Sequence, residues 1–510
     1  MAILQIPLPP TDNTAIVQAW RTYAGLKLRY GKTLETLPAS SAKALEAAEA
    51  FGGGLENVRL EVYRSLELEI EPGMVVYVTG ESGGGKSLLL RYMAEVMSRH
   101  SGFAPVAASW EIEVDQDKPL IETVKGGLQR SIGILTAAGL SDLFTWLRPH
   151  RMLSDGQKLR HLFALALDRE ARTIILDEFC SNLDRETAKA TAYTIQKYAR
   201  RNGVTLVVGT AVDDLLEDLA PDILVVKHIG PHVEVRRMAG RRPGGCSLLS
   251  RMRVEEGEYG DWLALSFLHY RSHRAGGVRK VYRLVLDGMA GSHHPRTVGV
   301  VVYSTPYFKA GGYGHCFNRG WYERRRFGHI LRIQRVVIHP SFRGIGAAKK
   351  LLTSSMPMLE TAFVEILSVM HRVINFTRDF MAWFEVKPSA EKLKALKGFE
   401  DRFGVGLYQV ARSGRLPRGV ADWVRKNYTI FLDSSYSPYI RRLRDRRILL
   451  LTLRKIYVSA TPKVYGLWVN PDPRFRDVQL EALRPEFVER YAPWLHGLGS
   501  GPRLPHPTGS

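Results

Sequence analysis

Residues 80–87 combine glycines with a lysine and a serine in an order suited to holding phosphate. The stretch reads GESGGGKS and fits the pattern G-x-x-x-x-G-K-[ST] in full. Glycines lack a Cβ, so backbone N–H groups can turn towards a phosphate, and the helix that follows adds a partial positive charge. The lysine can reach the β- and γ-phosphates of a nucleotide, and the serine hydroxyl can ligate Mg²⁺. The residues that we expect to bind ATP and its metal here are Gly80, Ser82, Gly83, Gly85, Lys86 and Ser87.

Two adjacent carboxylates form the second candidate for chemistry. In ARTIILDEFCSNLD (171–184) an apolar run ends directly before Asp177 and Glu178. In phosphate-loop ATPases, one carboxylate at the end of such a strand holds Mg²⁺ and another activates the attacking water. We therefore expect Asp177 to be a metal ligand and Glu178 to be the catalytic base.

The elements that must position these residues follow from the pattern of apolar residues. VVYV (75–78), before the loop, and GVTLVVGT (203–210) are continuous apolar runs, as in parallel strands buried on both faces. VRLEVYRSLELEIEPG (58–73) alternates and favours antiparallel strands. SSAKALEAAEA (40–50) consists of strong helix formers, so residues 1–50 are expected to be an N-terminal helical segment. These patterns predict an α/β fold.

LSDGQ (153–157) resembles the LSGGQ signature of ABC-type ATPases, and the motifs around it follow that family's order. The resemblance covers about residues 51–235. It implies that Gln116 contacts Mg²⁺ and senses the γ-phosphate, and that Ser154 and Gly156 close over the ATP of a second subunit. A homodimer that holds ATP between its subunits is therefore expected.

One further motif supports this resemblance, and two other features depart from the usual pattern of transporter ATPases. Ser181 to Asp184 resembles the family's D-loop, but Ala211 stands where the family carries a switch histidine that contacts the γ-phosphate. ATP hydrolysis is therefore expected to be slow or regulated. The interval from Gln116 to Ser154 leaves little room for a transporter-style helical insertion, which favours the non-transport branch of the family.

The size and charge of the chain limit the other possibilities. A chain of 510 residues is too long for one core, and its net charge of +21 favours a polyanionic partner, most simply nucleic acid. Three cysteines without C-x-x-C spacing suit a reducing compartment. We find no signal peptide and no apolar run of about 20 residues, so a cytoplasmic protein without a membrane partner is expected, in the host cytoplasm if phage-encoded.

The second half contains a second glycine-bearing loop between a strand and a helix. RTVGVVVYSTP (296–306) reads as a strand, and LRIQRVVIHPSFRGIGAAKKLLTSSM (331–356) as a strand, a turn, a loop and a helix. A further apolar strand is expected near 363–370. The loop resembles the R/Q-x-x-G-x-G/A motif of the GNAT acyltransferases, which implies a mixed α/β domain that binds acetyl-CoA or another acyl donor. The residues of this loop are Arg343, Gly344, Gly346, Ala347 and Ala348.

More specifically, this half resembles acetyltransferase-like domains fused to ABC ATPases in some phage and archaeal proteins and, loosely, Mom-type DNA-modification proteins. The resemblance rests on His269, Tyr270 and Arg335, which become catalytic candidates. GNAT enzymes often use a tyrosine acid, but NFTRDFMAWFE (375–385) has none. A base is needed near the attacking amine, and His269, His315 and Glu323 are candidates by residue type.

Basic and aromatic residues alternate in two stretches, FNRGWYERRRFGH (317–329) and YSPYIRRLRDRRILLLTLRKIY (436–457). Arginine pairs with phosphates and aromatic rings stack on bases, so DNA is the expected partner, although a solvated basic face has the same composition.

The predicted organisation has five parts. They are an N-terminal helical segment (1–50), an ABC-type ATPase domain (51–237), a linker (238–250), a GNAT-like domain (251–470) and a partly disordered C-terminal extension (471–510). The predicted function is ATP-dependent modification of a nucleic acid, expected to be a base of phage DNA. Two alternatives stay open: an ATP-driven DNA clamp with an inactive GNAT-like module, and an N-acetyltransferase acting on a protein or small amine.

Overall fold

The structure is a computed structural model that describes most of the chain. The described residues are 3–4, 15–21, 25–35, 41–50, 59–238, 244–269, 275–288, 295–307, 311–369, 376–432 and 436–495. Their strands are β1 (Ile3–Leu4), β2 (Ala15–Arg21), β3 (Leu26–Glu35), β4 (Arg59–Ile70), β5 (Val75–Gly80), β6 (Val106–Ala108), β7 (Thr173–Leu176), β8 (Thr205–Gly209), β9 (Ile223–Lys227), β10 (Val233–Arg237), β11 (Met252–Gly257), β12 (Val278–Leu286), β13 (Arg296–Ser304), β14 (Ile330–Ile338), β15 (Phe363–Ser368), β16 (Ala382–Val386) and β17 (Lys463–Val469).

Their α-helices are α1 (Ala42–Ala50), α2 (Lys86–Ser98), α3 (Leu120–Thr123), α4 (Leu128–Ala137), α5 (Leu143–Trp146), α6 (Asp155–Asp168), α7 (Arg185–Arg201), α8 (Leu216–Leu219), α9 (Ser247–Ser250), α10 (Tyr259–Leu265), α11 (Arg319–His329), α12 (Ala347–Ser355), α13 (Ala390–Phe403), α14 (Leu407–Ser413), α15 (Val420–Phe431), α16 (Ser437–Arg441), α17 (Arg446–Ala460), α18 (Arg476–Ala482) and α19 (Pro485–Leu495). None of the described helices is long and apolar enough to cross a membrane.

The strands form three sheets. The first is antiparallel, in the order β1-β2-β3-β4; the second has the order β10-β9-β5-β8-β7-β6, and the third the order β11-β12-β13-β14-β15-β17-β16. The strands β1, β2 and β3 show that the prediction of a helical segment over residues 1–50 is wrong for that part of the chain. The prediction is correct only for α1. From Leu26 to Tyr30, strand β3 alternates between buried and less buried residues, which is the period of two of a strand.

The second sheet has a parallel core, as its apolar runs predict. Strand β5 pairs in parallel with β8 and β9, and β7 pairs in parallel with β6 and β8. Every residue from Val75 to Val78 is fully buried, as are Leu206 to Val208. Burial on both faces explains why these strands are apolar throughout.

By compactness the chain divides into two units. The first comprises Met1–Arg274, Val281–Val301 and Val336–Leu352, and the second comprises Ala275–Lys280, Val302–Arg335 and Thr353–Ser510. The predicted domain boundaries stay a prediction. Of the predicted linker, residues 239–243 lie outside the described residues, while α9 is anchored by Ser247, whose N–H donates to Asp218 Oδ1 at 2.8 Å.

The strand–loop–helix–strand order predicted from the sequence is confirmed for β14, the loop after it, α12 and β15. Strands β14 and β15 are parallel neighbours, and β15 and β16 each pair antiparallel with β17. Helices α18 and α19 occupy much of the predicted C-terminal extension. The tail 497–510, predicted to be disordered, lies outside the described residues.

A buried carboxylate, Glu365 on β15, organises the interior of the second unit. Its Oε2 atom accepts hydrogen bonds from Tyr322 Oη and Tyr465 Oη, both at 3.1 Å, and its Oε1 atom accepts one from the N–H of Tyr307 at 3.0 Å. Burial raises the pKa of Glu365 above its usual value, and these donors oppose the rise. The folded unit therefore binds a proton at Glu365 more tightly than the unfolded chain does.

We expect Tyr465→Phe to lower the free energy of local opening around β15 and β17 by about 2 kcal/mol, because a buried acceptor loses a donor. The stability linked to Glu365 is greatest below its unfolded pKa and declines as pH rises through the higher folded pKa. Losing the tyrosine raises that pKa further, so the decline should extend to higher pH.

Hydrogen exchange of β15 and β17 at several pH values measures both effects. Tyr457→Phe, at an exposed tyrosine, is the control, and equal protection in both variants would contradict the account.

Candidate nucleotide-binding site

The loop that joins β5 to α2 requires glycine at two positions. Gly80 has φ 129°, and a Cβ there would lie 1.9 Å from the carbonyl oxygen of Lys227 on the neighbouring strand β9. At Gly85, with φ 95°, a Cβ would lie 2.6 Å from Cγ1 of Val62. Tyr63 Oη also donates to the carbonyl oxygen of Gly85 at 3.0 Å. The close approach of β9 and β4 thus fixes the backbone of the loop.

Lys86 begins α2 and folds back over the loop. Its Nζ atom donates to the carbonyl oxygens of Gly80 at 2.9 Å and Glu81 at 2.7 Å. Burial lowers the pKa of Lys86, and the charges of Glu178 and Asp177 partly oppose this. The ammonium group thus lies within the electrostatic reach of both carboxylates, and it can exchange its loop carbonyls for phosphate oxygens.

Strand register brings the polar residues to one edge of the sheet. Val78 lies opposite Gly209, and Leu176 lies opposite Val208. Because β5, β7 and β8 are parallel, the residues that follow each strand emerge at the same edge. The phosphate loop, the carboxylate pair and Thr210 therefore converge there, as in open α/β sheets that bind ligands at the carboxyl ends of their strands.

The carboxylate pair has a constrained backbone. Glu178 has φ 53°, a left-handed conformation that a residue with a side chain adopts at a cost of about 1 kcal/mol or more. Its N–H donates to Asp177 Oδ1 at 3.0 Å, and the N–H of Asp177 donates to Ser109 Oγ at 3.1 Å. These bonds hold the Asp177 carboxylate and the backbone of both residues relative to the strand.

The donor atoms near the loop suit Mg²⁺. The Ser87 hydroxyl, in the first turn of α2, and the Asp177 carboxylate are hard oxygen donors of the kind that this ion takes, with phosphate and water completing its shell. Among the described residues, no group of three or more His, Cys, Asp or Glu could hold a metal. Gln116, predicted to contact the ion, is exposed, and its Nε2 donates to Val114 O at 3.4 Å.

The predicted signature lies at the start of α6. Ser154 is its N-cap and forms a capping box with Gln157, which satisfies N–H groups at the helix start. Gly156 packs on α7, where an added Cβ would lie 3.0 Å from Thr187 Cγ2. In the predicted D-loop, Asp184 caps α7 by accepting from the N–H of Thr187 at 2.9 Å. Ser154 itself is exposed.

The position of the missing switch histidine is open to solvent. Ala211 is exposed, and the next residue is held by two side chains of β5, since Tyr77 Oη and Thr79 Oγ1 both donate to the carbonyl oxygen of Val212. The backbone after β8 is thus fixed while the side chain at 211 brings no polar group.

The second glycine loop is engaged within the first unit. The Arg343 side chain, 13% exposed, pairs with Asp142 at 2.8 Å, and its Nε donates to Ile338 O at 3.0 Å. Gly344 faces α7, where a Cβ would lie 2.8 Å from Thr194 Oγ1. Gly346, with φ 103°, has more space, the nearest atom to an added Cβ being Leu249 Cδ1 at 3.6 Å. Ala347 and Ala348 begin α12, whose first N–H groups lack partners within the helix.

The signature helix α6 reaches the same loop through Arg160. This buried guanidinium donates to Pro340 O and Ser341 O, both at 3.3 Å, and to Thr191 Oγ1 at 3.0 Å. Burial lowers the pKa of Arg160 to about 10, which leaves it charged at neutral pH. From α7, Lys197 Nζ donates to Gly344 O at 3.3 Å.

The other catalytic candidates have local contacts of their own. The His269 ring packs edge-on against Trp262 at 5.7 Å, and Tyr270 lies outside the described residues. Arg335, on β14, donates from Nη1 to Gln334 O at 2.8 Å. The remaining two are His315, stacked on Phe384 at 5.1 Å, and Glu323, paired with Arg319 at 3.0 Å.

Sequence reasoning missed three residues that matter for these sites. Tyr63 and Arg160 carry no local signal, because each depends on contacts with distant segments. Glu365 did carry one, since it is a lone acidic residue within the apolar strand FVEILS. A charged residue in such a strand indicates a buried polar network or a functional group.

Comparison with known proteins gives relatives for part of the chain. No family model matches it. An aliphatic sulfonates import ATP-binding protein from Xanthomonas axonopodis pv. citri is 33% identical over 208 residues, which are 37% of this chain and 72% of that protein. A cytochrome c biogenesis ATP-binding export protein from Zymomonas mobilis is 28% identical over 161 residues, covering 29% of this chain and 71% of that protein.

Among solved structures, a dimeric ATP-binding cassette bound to ADP and Pi matches 36% of this chain and 94% of that chain at 16% identity, with a TM-score of 0.29. A score this low adds no argument, so the assignment depends on the sequence relatives. A relative that is 33% identical across 72% of its own length establishes the family. The chain belongs to the family of ABC-type ATPases.

Proposed function

We propose that this chain binds ATP with Mg²⁺, hydrolyses it between two copies of itself, and uses the cycle to act on nucleic acid. The observation that carries the ATPase part is the meeting of the phosphate loop with Asp177 and Glu178 at one edge of a parallel sheet. Its relatives, which are named as ATP-binding proteins, support the same activity.

The chemistry assigned to each residue follows from its position. Lys86 neutralises charge on the β- and γ-phosphates, and Glu178 accepts a proton from the water that attacks the γ-phosphorus while the bond to ADP breaks. Ser87 and Asp177 would hold Mg²⁺, which neutralises phosphate charge when bound. Because Ala211 brings no imidazole to the γ-phosphate, we expect turnover to be slow.

The dimer part of the proposal is supported by the exposure of the signature. Ser154 is exposed at the start of α6, and that helix start can offer N–H groups to the phosphates of a second copy. The chain carries one phosphate loop and one signature, so a symmetric pair would contain two complete sites.

A more specific form of this proposal is acyl transfer to nucleic acid. Some residues of the second glycine loop support it, and one does not. The order of β14, loop, α12 and parallel β15 suits a pyrophosphate at the start of α12. Gly346 to Ala348 fit such a ligand, whereas Arg343, paired with Asp142, does not. An ATP-driven clamp that binds nucleic acid without modifying it requires no coenzyme A and is compatible with that ion pair.

Transport is the second candidate function, favoured by the relatives, two of which are named as import and export proteins. It would require a membrane-spanning partner chain. The second half of the chain is strongly basic, and this favours nucleic acid as the partner instead. An ATPase subunit of a transporter has no evident need for so large a positive charge.

The first prediction concerns the nucleotide. We expect Lys86→Ala to lose ATP binding, because the charge facing the β- and γ-phosphates is removed, while Glu178→Gln keeps ATP bound and loses hydrolysis. Calorimetry with Mg-ATP and phosphate release measure the two effects. Lys118→Ala removes an equal charge at an exposed ion pair and should behave as the wild type. Equal ATP affinity in the wild type and Lys86→Ala would refute the site.

The second prediction concerns the acyl donor. Gly346→Trp places a bulky side chain at a positive-φ position beside the start of α12, so coenzyme A binding should be lost while ATP binding is kept. Calorimetry with each ligand is the measurement. Gly398→Trp, where an added Cβ meets no atom within 4 Å, is the control. Absence of coenzyme A binding by the wild type would instead favour the clamp.

A further inference from the structure

A helical insertion interrupts the second unit between two neighbouring strands. Val386, at the end of β16, lies opposite Lys463, at the start of β17, so a tight turn would be enough to join them. The chain instead runs through 76 residues, 387–462, which contain α13 to α17. The sheet does not need this helical insertion.

The helical insertion is built around a core of its own. Phe399, Val424, Leu453 and Ile456 are fully buried in it, and Trp423 and Phe431 pack beside them. Apolar residues at helical spacing on α13, α14, α15 and α17 face this core, which leaves the opposite faces to solvent.

The helical insertion carries about half of the net charge of the protein. Residues 387–462 contain 17 Lys and Arg but only 6 Asp and Glu, against a net charge of +21 for the whole chain. Two of the acids are already engaged, since Asp422 pairs with Arg425 and Asp445 caps α17. The helical insertion therefore has a concentrated positive potential, suited to a polyanion.

Helices α14 and α17 pack antiparallel and form one surface from these groups. At one end, the rings of Tyr408 and Tyr457 lie 5.0 Å apart, and they are 48% and 36% exposed. At the other end, Arg446 Nη2 donates to Gly414 O at 3.0 Å, and between them Arg454 Nε donates to Ala411 O at 3.4 Å. We call this surface the α14–α17 face; its members are Tyr408, Arg412, Arg446, Arg454 and Tyr457, with Arg412 one helical turn after Tyr408.

The geometry of this face combines two kinds of contact. Two of its arginines, Arg446 and Arg454, are positioned by the carbonyls of Gly414 and Ala411 and keep further N–H donors for phosphate oxygens. Its paired tyrosines offer exposed ring faces at one end, on which unpaired bases can stack. A duplex hides its base faces, so exposed rings beside arginines match a single strand better.

We propose that the α14–α17 face binds single-stranded nucleic acid, with its arginines on the phosphates and its tyrosines on the bases. This inference rests on the proposed function in naming nucleic acid as the partner, and it adds the surface and the form of the strand. An anionic membrane would use the arginines but would have no requirement for the paired, exposed tyrosine rings.

The test uses the full chain and fluorescence anisotropy with labelled oligothymidylate, its duplex with oligoadenylate, and phosphatidylserine vesicles as probes. Arg412→Glu/Arg454→Glu should weaken single-strand binding at least tenfold and reduce the slope of log K against log salt by about 0.7 for each phosphate that the variant no longer neutralises. Tyr408→Ala/Tyr457→Ala should weaken it roughly tenfold or more and leave the salt slope unchanged.

Arg476→Glu/Arg490→Glu, an equal charge change at exposed residues outside the helical insertion, is the control and should bind as the wild type.

The outcomes separate this inference from the proposed function. If the wild type binds oligothymidylate and neither face variant is weaker than the control, the α14–α17 face is wrong while nucleic acid remains the partner. If the wild type binds neither nucleic acid probe, or binds only the vesicles, both fail. Unchanged hydrogen-exchange protection of α15 and α17, which form the core of the helical insertion, shows that each variant is folded there. Photocrosslinking of a bromouracil-substituted strand should label peptides of α14 and α17.

Discussion

Parallel pairing of β5 with β8, and of β8 with β7, is the constraint on which the nucleotide site depends. These strands are buried on both faces, so their apolar residues hold a fixed register, and that register decides which backbone segments emerge side by side. Glycine is required at position 80 because the carbonyl of Lys227 occupies the space of a side chain. The strained backbone of Glu178 is held by the same arrangement. The site is therefore a consequence of strand packing.

A second constraint joins the signature helix to the loop that follows β14. Arg160, on α6, donates to the carbonyl oxygens of Pro340 and Ser341. Arg343, in the loop, forms an ion pair with Asp142, which caps α5. Buried guanidinium groups with several fixed acceptors are costly to separate. Any rotation of α6 must either carry this loop with it or break these bonds. The loop thus has a structural reason for its arginine that is independent of any ligand.

The sequence predicts the first site well because its signals are local. The phosphate loop, the carboxylate pair and the apolar strands each occupy fewer than twenty consecutive residues, and the structure has the expected strand or helix at each. The partner of Arg343 could not be predicted in this way, since Asp142 lies in a distant segment and belongs to a helix cap. Strands β2 and β3 were predicted as helical because the nearby alanine-rich α1 dominated the propensity, whereas the pairing of β3 with β2 and β4 determines their structure. The basic run at 441–447 was visible, but the core that makes it part of a separate helical insertion was not.

Mixing two inactive variants tests most directly whether the ATP site is shared between two copies. Lys86→Ala removes the phosphate-loop cation, and Ser154→Arg places a bulky side chain at the signature; each variant alone should release phosphate only at background rate. An equal mixture should recover about a quarter of the wild-type rate, because half of the dimers are mixed and each has one intact site of two. No recovery at any mixing ratio, or wild-type turnover by Ser154→Arg alone, would contradict the account.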